Sequence, residues 1–467
     1  MPDETKQPNR ETESAAQGEG LSMPADTGKK GALLQRFAAN TGWLVAQNVF
    51  QYVLSAVIGI LAARYMGPAN YGILSYGAAM MVLFSPFCTL SLNDVQIPCM
   101  IDEPQDTGKI IGTALVMRLV STMLSIGVLL LVVAYTKPGD KLILLVTALQ
   151  ALQLIFQCCD AFRLWFQMKL LSKYAAIGSA IGNVVCSIWR IVLLIRGASV
   201  EWFALTSAIQ MLANYLFILP MFAKLAHVRI GFSTEIMGRL WRRSYQLILA
   251  ELTVVITNRI GAVLLSYLLG DAALGIYNAA LNIAMMWIFV PQAFVDSANP
   301  VLLETNKNNP SQFWPRYQVL FLVIFLISVC AGAGLSVLAP WIVEFLYGAD
   351  YAGSAPVLRV VAWVGVFTSI GTARNIWTLA KEKQKYVKYF CMVSAVASVA
   401  LNFILIRLLG VMGAAIAIVL VNVVQSLLSP LLFAESREFV KQYFASVRRV
   451  PELIGFIRRR GRFTDEQ

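Results

Sequence analysis

Apolar runs of about twenty residues follow one another along this chain from residue 43 onward, each long enough for an α-helix to cross a bilayer core. In hydrocarbon a backbone must pair its own polar groups, so a run of that length has one solution, a transmembrane helix. The composition agrees. Hydrophobic residues make up 58% of the chain and charged residues only 14%, too few to cover a soluble surface of this size. The mean hydropathy is +0.66. The expectation is an all-α polytopic membrane protein.

Runs and breakers place spans at 43–64, 71–92, 110–134, 142–160, 175–195 and 202–223. A second set lies at 246–268, 274–298, 317–339, 355–380, 386–406 and 412–434. That divides the chain into a tail over 1–40, a six-helix bundle over 41–223, a basic linker over 224–245, a second six-helix bundle over 246–434 and a basic tail over 435–467. Residues 1–36 are rich in Glu, Ser, Gln, Lys and Gly, which predicts a disordered tail. The first run is too long for a signal-peptide core and no small-residue cleavage site follows it. In the last tail Phe439, Tyr443 and Val447, with Val440 and Phe444 beside them, form an apolar stripe flanked by Arg448, Arg449 and Arg458–Arg460. It predicts an amphipathic helix lying on the anionic inner leaflet.

Lysine and arginine crowd alternate loops. With the N-terminus inside, the inner loops collect Lys169, Lys173, Arg239, Arg242, Arg243, Lys381, Lys383, Lys385 and many others, whereas the outer loops hold only Arg64, Lys137, Lys141, Arg196 and Arg407. The bias puts both termini on the cytoplasmic side. It accounts for the net charge of +12 without nucleic acid, for no basic, aromatic-bearing soluble domain is present.

Several chemistries are excluded. The single histidine, His227, rules out His-rich metal sites and HExxH hydrolysis, and no P-loop is present. No metal or cofactor is expected. The seven cysteines lie in or beside apolar spans and suit packing, not a disulfide framework. The longest outer loop, around 340–356, is too short for a catalytic domain.

The chain also repeats itself. "YMGPANYGILSY" (65–76) and "LLGDAALGIYNA" (268–279) each carry two glycines five residues apart, and an offset of 203 places Gly67 on Gly270 and Gly72 on Gly275. The same offset pairs Asn48 with Glu251 and Ser55 with Asn258. "RLWFQMKLLSKY" (163–174) matches "RNIWTLAKEKQKY" (374–386) with one residue of slippage, and "LLIRG" (193–197) matches "LIRLLG" (405–410). Six spans per copy is an even number, so the two halves enter the membrane from the same side: parallel repeats about an axis along the membrane normal, around a shared cleft. The glycines suit a short turn needing positive φ and close helix approach.

The segments "ARYMGPANYGILSYG", "QMKLLSKYAAI", "LGDAALGIYNAA" and "LYGADYAGSAPVLRVVAWV" resemble the polysaccharide-biosynthesis flippases, the Wzx-type branch of the multidrug/oligosaccharidyl-lipid/polysaccharide (MOP) exporter superfamily. The resemblance covers about 40–435. It implies a MATE-like fold of about twelve helices in the bacterial inner membrane. The implied activity is translocation of an undecaprenyl-pyrophosphate-linked oligosaccharide from the cytoplasmic to the outer leaflet. A polysaccharide polymerase and a chain-length regulator are the implied protein partners.

A carrier of that kind needs cationic groups for a diphosphate and hydrogen-bonding groups for sugar, inside the membrane. Ionisable residues within spans are costly and therefore candidates: Arg118, Arg190, Arg259, Arg374 and Glu251, with Arg359 nearer an outer end and Asp160 and Arg163 at an inner end. Guanidinium matches phosphate oxygens in bidentate geometry. Glu251 could couple transport to a proton or cation, or neutralise Arg259 or an arginine on another helix. Asn48, Gln51, Asn258, Asn278 and Asn282 could bind sugar hydroxyls or tie helices together. Pro86, Pro291 and Pro300 predict kinks. Two rival functions remain: an ion-coupled drug or organic-cation antiporter of the same fold, and a membrane polysaccharide polymerase or ligase.

Overall fold

A computed structural model describes the backbone over 27–448 and the side chains over 56–446. Its contacts divide the chain into Met1–Leu54 and Ser55–Gln467. The first unit contributes the start of helix α1 (Thr27–Thr89), so the chain is already helical within the stretch expected to be a tail. Residues 1–26 and the basic cluster from Arg449 lie outside the described residues. All the described side chains belong to the second unit.

Among the described residues there are only helices and turns. After α1 come α2 (Leu92–Asp102), α3 (Thr107–Thr136), α4 (Lys141–Gln157), α5 (Asp160–Met168), α6 (Ser172–Ile195), α7 (Val200–Ala204) and α8 (Thr206–Ala226). The second half holds α9 (Thr234–Leu269), α10 (Asp271–Met286), α11 (Phe289–Asn308), α12 (Pro310–Tyr347), α13 (Ser354–Val361), α14 (Val364–Ala380), α15 (Val387–Leu409), α16 (Val411–Val423) and α17 (Ser429–Leu431). A π-helical turn, Val424–Leu428, joins α16 to α17, and α18 (Arg437–Arg448) follows. Eleven stretches among the described residues are long and apolar enough to cross a membrane, the first of them divided at Gly67, where φ is 73°. The expected first and second spans are the segments on either side of that glycine.

The repeat is visible in the backbone. Positive φ recurs at matching joints of the two halves: Gly67 and Gly270 (73° and 88°), Gly139 and Gly348 (86° and 87°), Leu170 and Glu382 (56° and 54°), Gly197 and Gly410 (64° and 62°). Left-handed backbone is disfavoured for residues with a Cβ, so a shared deviation at Leu170 and Glu382 marks a common turn and not chance strain. The alignments read from sequence put three of these four pairs together.

Packing differs at the two ends. At the hairpin end one continuous core joins both halves, bringing Ala63, Tyr76, Ala79, Leu129 and Val133 together with Leu265, Leu274, Tyr277, Val343 and Tyr351. At the Lys/Arg-rich end there are two cores. One contains Leu92, Met100, Phe162, Trp165 and Phe222 with Leu240 and Ile248 of α9. The other contains Phe313, Tyr317, Phe321 and Trp377 with Phe439 and Tyr443. One core thus spans both halves at the first end, while at the other the first half shares a core with α9 and the rest of the second half has its own.

Two expectations change. The apolar stripe of α18 faces protein, not a leaflet: Phe439 and Tyr443 both lie 5.5 Å from the Phe321 ring, and Gln318 donates to Gln442 at 2.7 Å. Of the stripe's described side chains, Phe444 alone is exposed. Kinks form near two of the three prolines, in two different ways, while Pro300 lies inside an unbroken α11. The break at Trp287 lies four residues before Pro291, where the ring would meet the helical carbonyl. The break at Leu90 and Ser91 comes after Pro86 and has left-handed backbone instead.

Candidate functional site

Within the second half, displaced toward its Lys/Arg-rich end and touched by the first half at Val82, lies a cavity of about 600 Å³. That volume is of the size that holds a small organic ligand. Its wall comes from α9, α10, α14, α15, α16 and the π-helical turn, with Val82 of α1 contributed by the first half. Its polar lining is Asn258, Arg259, Thr368, Thr372, Arg374, Asn375, Asn422, Gln425 and Ser426.

Arg374 is the most constrained of these. It is only 4% exposed. Its Nη1 donates to the carbonyl oxygen of Gln425, and the guanidinium lies 4.8 Å from the Phe390 ring centre. The π-helical turn makes this possible. Adding a residue to a helical turn frees carbonyls from the regular ladder, and here Ser429 Oγ donates to Val424 O (2.6 Å) and Gln425 O (3.2 Å). The Nε of Arg374 is buried without a partner, and no carboxylate pairs with this side chain among the described residues. A buried guanidinium at a cavity wall with no counter-charge is suited to an anion.

Arg259, one α9 residue beyond Asn258, faces the same cavity and is exposed to it, again with no ion pair among the described residues. Asn258 donates Nδ2 to Val254 O at 2.8 Å, which leaves its side-chain oxygen for a ligand. Asn422 does the same with Ile418 O at 2.9 Å, and its oxygen accepts from Thr368 at 3.2 Å. Asn375 and Gln425 have no side-chain hydrogen bond among the described residues and carry both donors and acceptors into the cavity.

The structure thus brings together Arg259, Arg374 and Asn258 of the expected residues. Arg118 is elsewhere, 1% exposed inside the first half, with Nη2 on Asn93 Oδ1 at 3.1 Å and with no space beside it for a ligand. Arg190 is half-buried on α6 and lies outside the lining of this cavity. The side chain of Asn48 lies outside the described residues. Glu251 corrects an expectation, for it is paired with neither Arg259 nor another arginine among the described residues. It accepts from Ser91 Oγ at 2.6 Å, across the two halves, at the left-handed break of the chain before α2.

Arg163 opens the segment that aligns with the one Arg374 opens, yet the two have diverged. Arg163 is bound to Asp160 at 2.6 Å, and Tyr215 donates to the same carboxylate oxygen at 2.7 Å. One repeat neutralises its arginine; the other leaves it open. Sequence reasoning missed Asn375, Asn422 and Gln425. Asn375 follows Arg374 directly, but nothing in the sequence announces a π-helical turn at Gln425.

Comparison with known proteins accords with this geometry. The sequence model of the family described as "Polysaccharide biosynthesis protein" matches residues 37–306. The chain belongs to that family. No curated protein matches it. Among solved structures, an inward-facing multidrug resistance MATE family transporter of the MOP superfamily superposes with a TM-score of 0.67 at 15% identity, covering 85% of this chain and 96% of its own. The lipid II flippase MurJ in an inward closed conformation gives 0.63 at 16%, covering 89% and 92%. An outward-facing MATE family transporter of the MOP superfamily gives 0.50 at 14%, covering 84% and 96%. At these identities the likeness establishes the fold. Family and fold together describe a polysaccharide biosynthesis protein with an all-helical, MATE-like membrane fold.

Proposed function

We propose that the chain moves an undecaprenyl-pyrophosphate-linked oligosaccharide from the cytoplasmic to the outer leaflet, the headgroup passing through the cavity while the polyprenyl tail stays in lipid. The observation that carries this reading is Arg374, buried at the cavity wall with no acid to balance it among the described residues, and Arg259 lining the same cavity. A diphosphate supplies the missing charge, and the amides of Asn258, Asn375 and Gln425 match sugar hydroxyls. An organic cation would meet two guanidinium groups there. The Lys/Arg-rich end, toward which the cavity lies, is the cytoplasmic side by loop charge. Glu251 is the candidate for coupling to an ion, because this intramembrane carboxylate joins both halves at a helix break.

The test is the lipid extract of cells in which Arg259 and Arg374 are both replaced by Ala. The expected result is loss of surface polysaccharide with lipid-linked oligosaccharide accumulating on the inner leaflet, resolved by mass spectrometry. Surface polymer at the native level in the double variant would refute the reading. Single repeat units displayed outside would point to a polymerase instead.

A further inference from the structure

We propose that Gly72 and Gly275 are the closing contact of the carrier, a reciprocal seat on which the two bundles meet at the hairpin end and which a side chain at either position would hold open. The proposal rests on the chain being a carrier that opens alternately to its two ends, and not on which cargo it carries.

Each glycine is pressed on the backbone of the opposite repeat. A methyl group built on Gly72 would overlap the carbonyl of Asp271, and one built on Gly275 would overlap the carbonyl of Pro68. At the offset of 203, Pro68 corresponds to Asp271 and Gly72 to Gly275, so the two contacts are one contact made twice, related by the repeat axis. Glycine at a helix crossing removes the side chain that would otherwise set the spacing. Here both partners are backbone, which cannot step aside. Gly127, by contrast, has nothing within 4 Å of a Cβ placed there.

Polar ties surround it. Lys137 Nζ, from the first half, lies 3.2 Å from the carboxylate of Asp271 and 2.9 Å from Ser266 O in the second. Asn282 donates to the Tyr71 hydroxyl, and Tyr351 donates to Ala63 O at 2.7 Å. Arg64 Nη1 donates to Phe345 O at 3.3 Å. Ties of this kind are discrete, made or broken, as a two-state closure requires. They lie at the end where a single core joins the halves, while the cavity lies toward the end where the first half with α9 and the rest of the second half have separate cores. The seat is closed in this structure, and on this proposal the cavity is reached from the other end in the same state.

The experiment uses Cys391, which lines the cavity, as the reporter, with the other six cysteines replaced by Ser. A membrane-impermeant maleimide is added to either side of oriented vesicles. Gly72→Val and Gly275→Val are each expected to slow labelling from the Lys/Arg-rich side about tenfold and to raise it from the hairpin side. Gly127→Val is expected to label like the parent. Unchanged labelling from both sides in both seat variants overturns the proposal. If the Val variants fail to insert, the complementary test is a Lys137→Cys/Asp271→Cys pair joined by a short, reducible thiol cross-linker. Closure held by the link should stop surface-polysaccharide recovery in cells and restore it on reduction. Recovery that continues in the linked protein overturns the proposal. Because the maleimide assay needs no cargo, its outcome is independent of whether Arg259 and Arg374 bind a diphosphate.

Discussion

Replacing Arg374 by Met should weaken the carrier's hold on its cargo and strengthen its fold, and the opposite signs make the prediction severe. In the native chain the Nε edge of this guanidinium is buried and unpartnered. A diphosphate held by this guanidinium gains two charge-assisted hydrogen bonds worth at least about 1.5 kcal/mol each. Losing both costs about 3 kcal/mol, roughly a hundredfold in affinity. Met fills the space of the alkyl stem without the charge. Exchanging a buried charged group for an apolar one of similar volume is often stabilising, by about 1–4 kcal/mol. The Gln425 carbonyl that Arg374 engages keeps a share of the Ser429 hydroxyl, 3.2 Å away, whose nearer acceptor is Val424 O at 2.6 Å. The assay pairs thermal unfolding of the purified protein in detergent with binding of the lipid-linked oligosaccharide extracted from a null strain, read by native mass spectrometry. Arg374→Met should melt higher and bind about a hundredfold more weakly. Native affinity would refute the cargo role. A lower melting point with native affinity would make Arg374 a structural residue tied to the π-helical turn.

Three further outcomes are expected. Phe439→Ala removes a fully buried ring from the α18 interface and should cost about 3–5 kcal/mol of local stability; protease cleavage between 431 and 448 that is no faster than in the parent would contradict the docked helix. Asp160→Asn removes the acid shared by Arg163 and Tyr215 and should lower the melting point with cargo binding unchanged in the folded fraction. Lys383 holds the Glu435 carboxyl below its usual range by hydrogen bonding, and Glu435 raises Lys383 in return. The depressed carboxylate makes its contribution above its unfolded pKa and loses it as pH falls through the lowered value. Spin labels on α18 should then show more motion as Glu435 is protonated, and Glu435→Gln should abolish that pH dependence.

The sequence by itself determined the solvent, the secondary structure and the doubling of the chain. Twenty-residue apolar runs admit one backbone solution in hydrocarbon, and Gly67 and Gly270 mark the same joint in both halves because positive φ is cheap only for glycine. It also named Arg259, Arg374 and Asn258, since a charge or amide inside a span stands out against its neighbours. Direction was beyond it. A sequence places Arg118 and Arg374 in equivalent surroundings, and only packing shows the first enclosed within one half and the second edging a cavity. Asn375, Asn422 and Gln425 were hidden because amides in spans bind neighbouring helices as readily as ligands, and because a π-helical turn has no local signature. The pairing of Arg163 with Asp160 and Tyr215 likewise needed distant segments to converge. What the tertiary structure decided was which buried charges were neutralised, for burial and partners depend on residues far apart in the chain that only folding brings within reach.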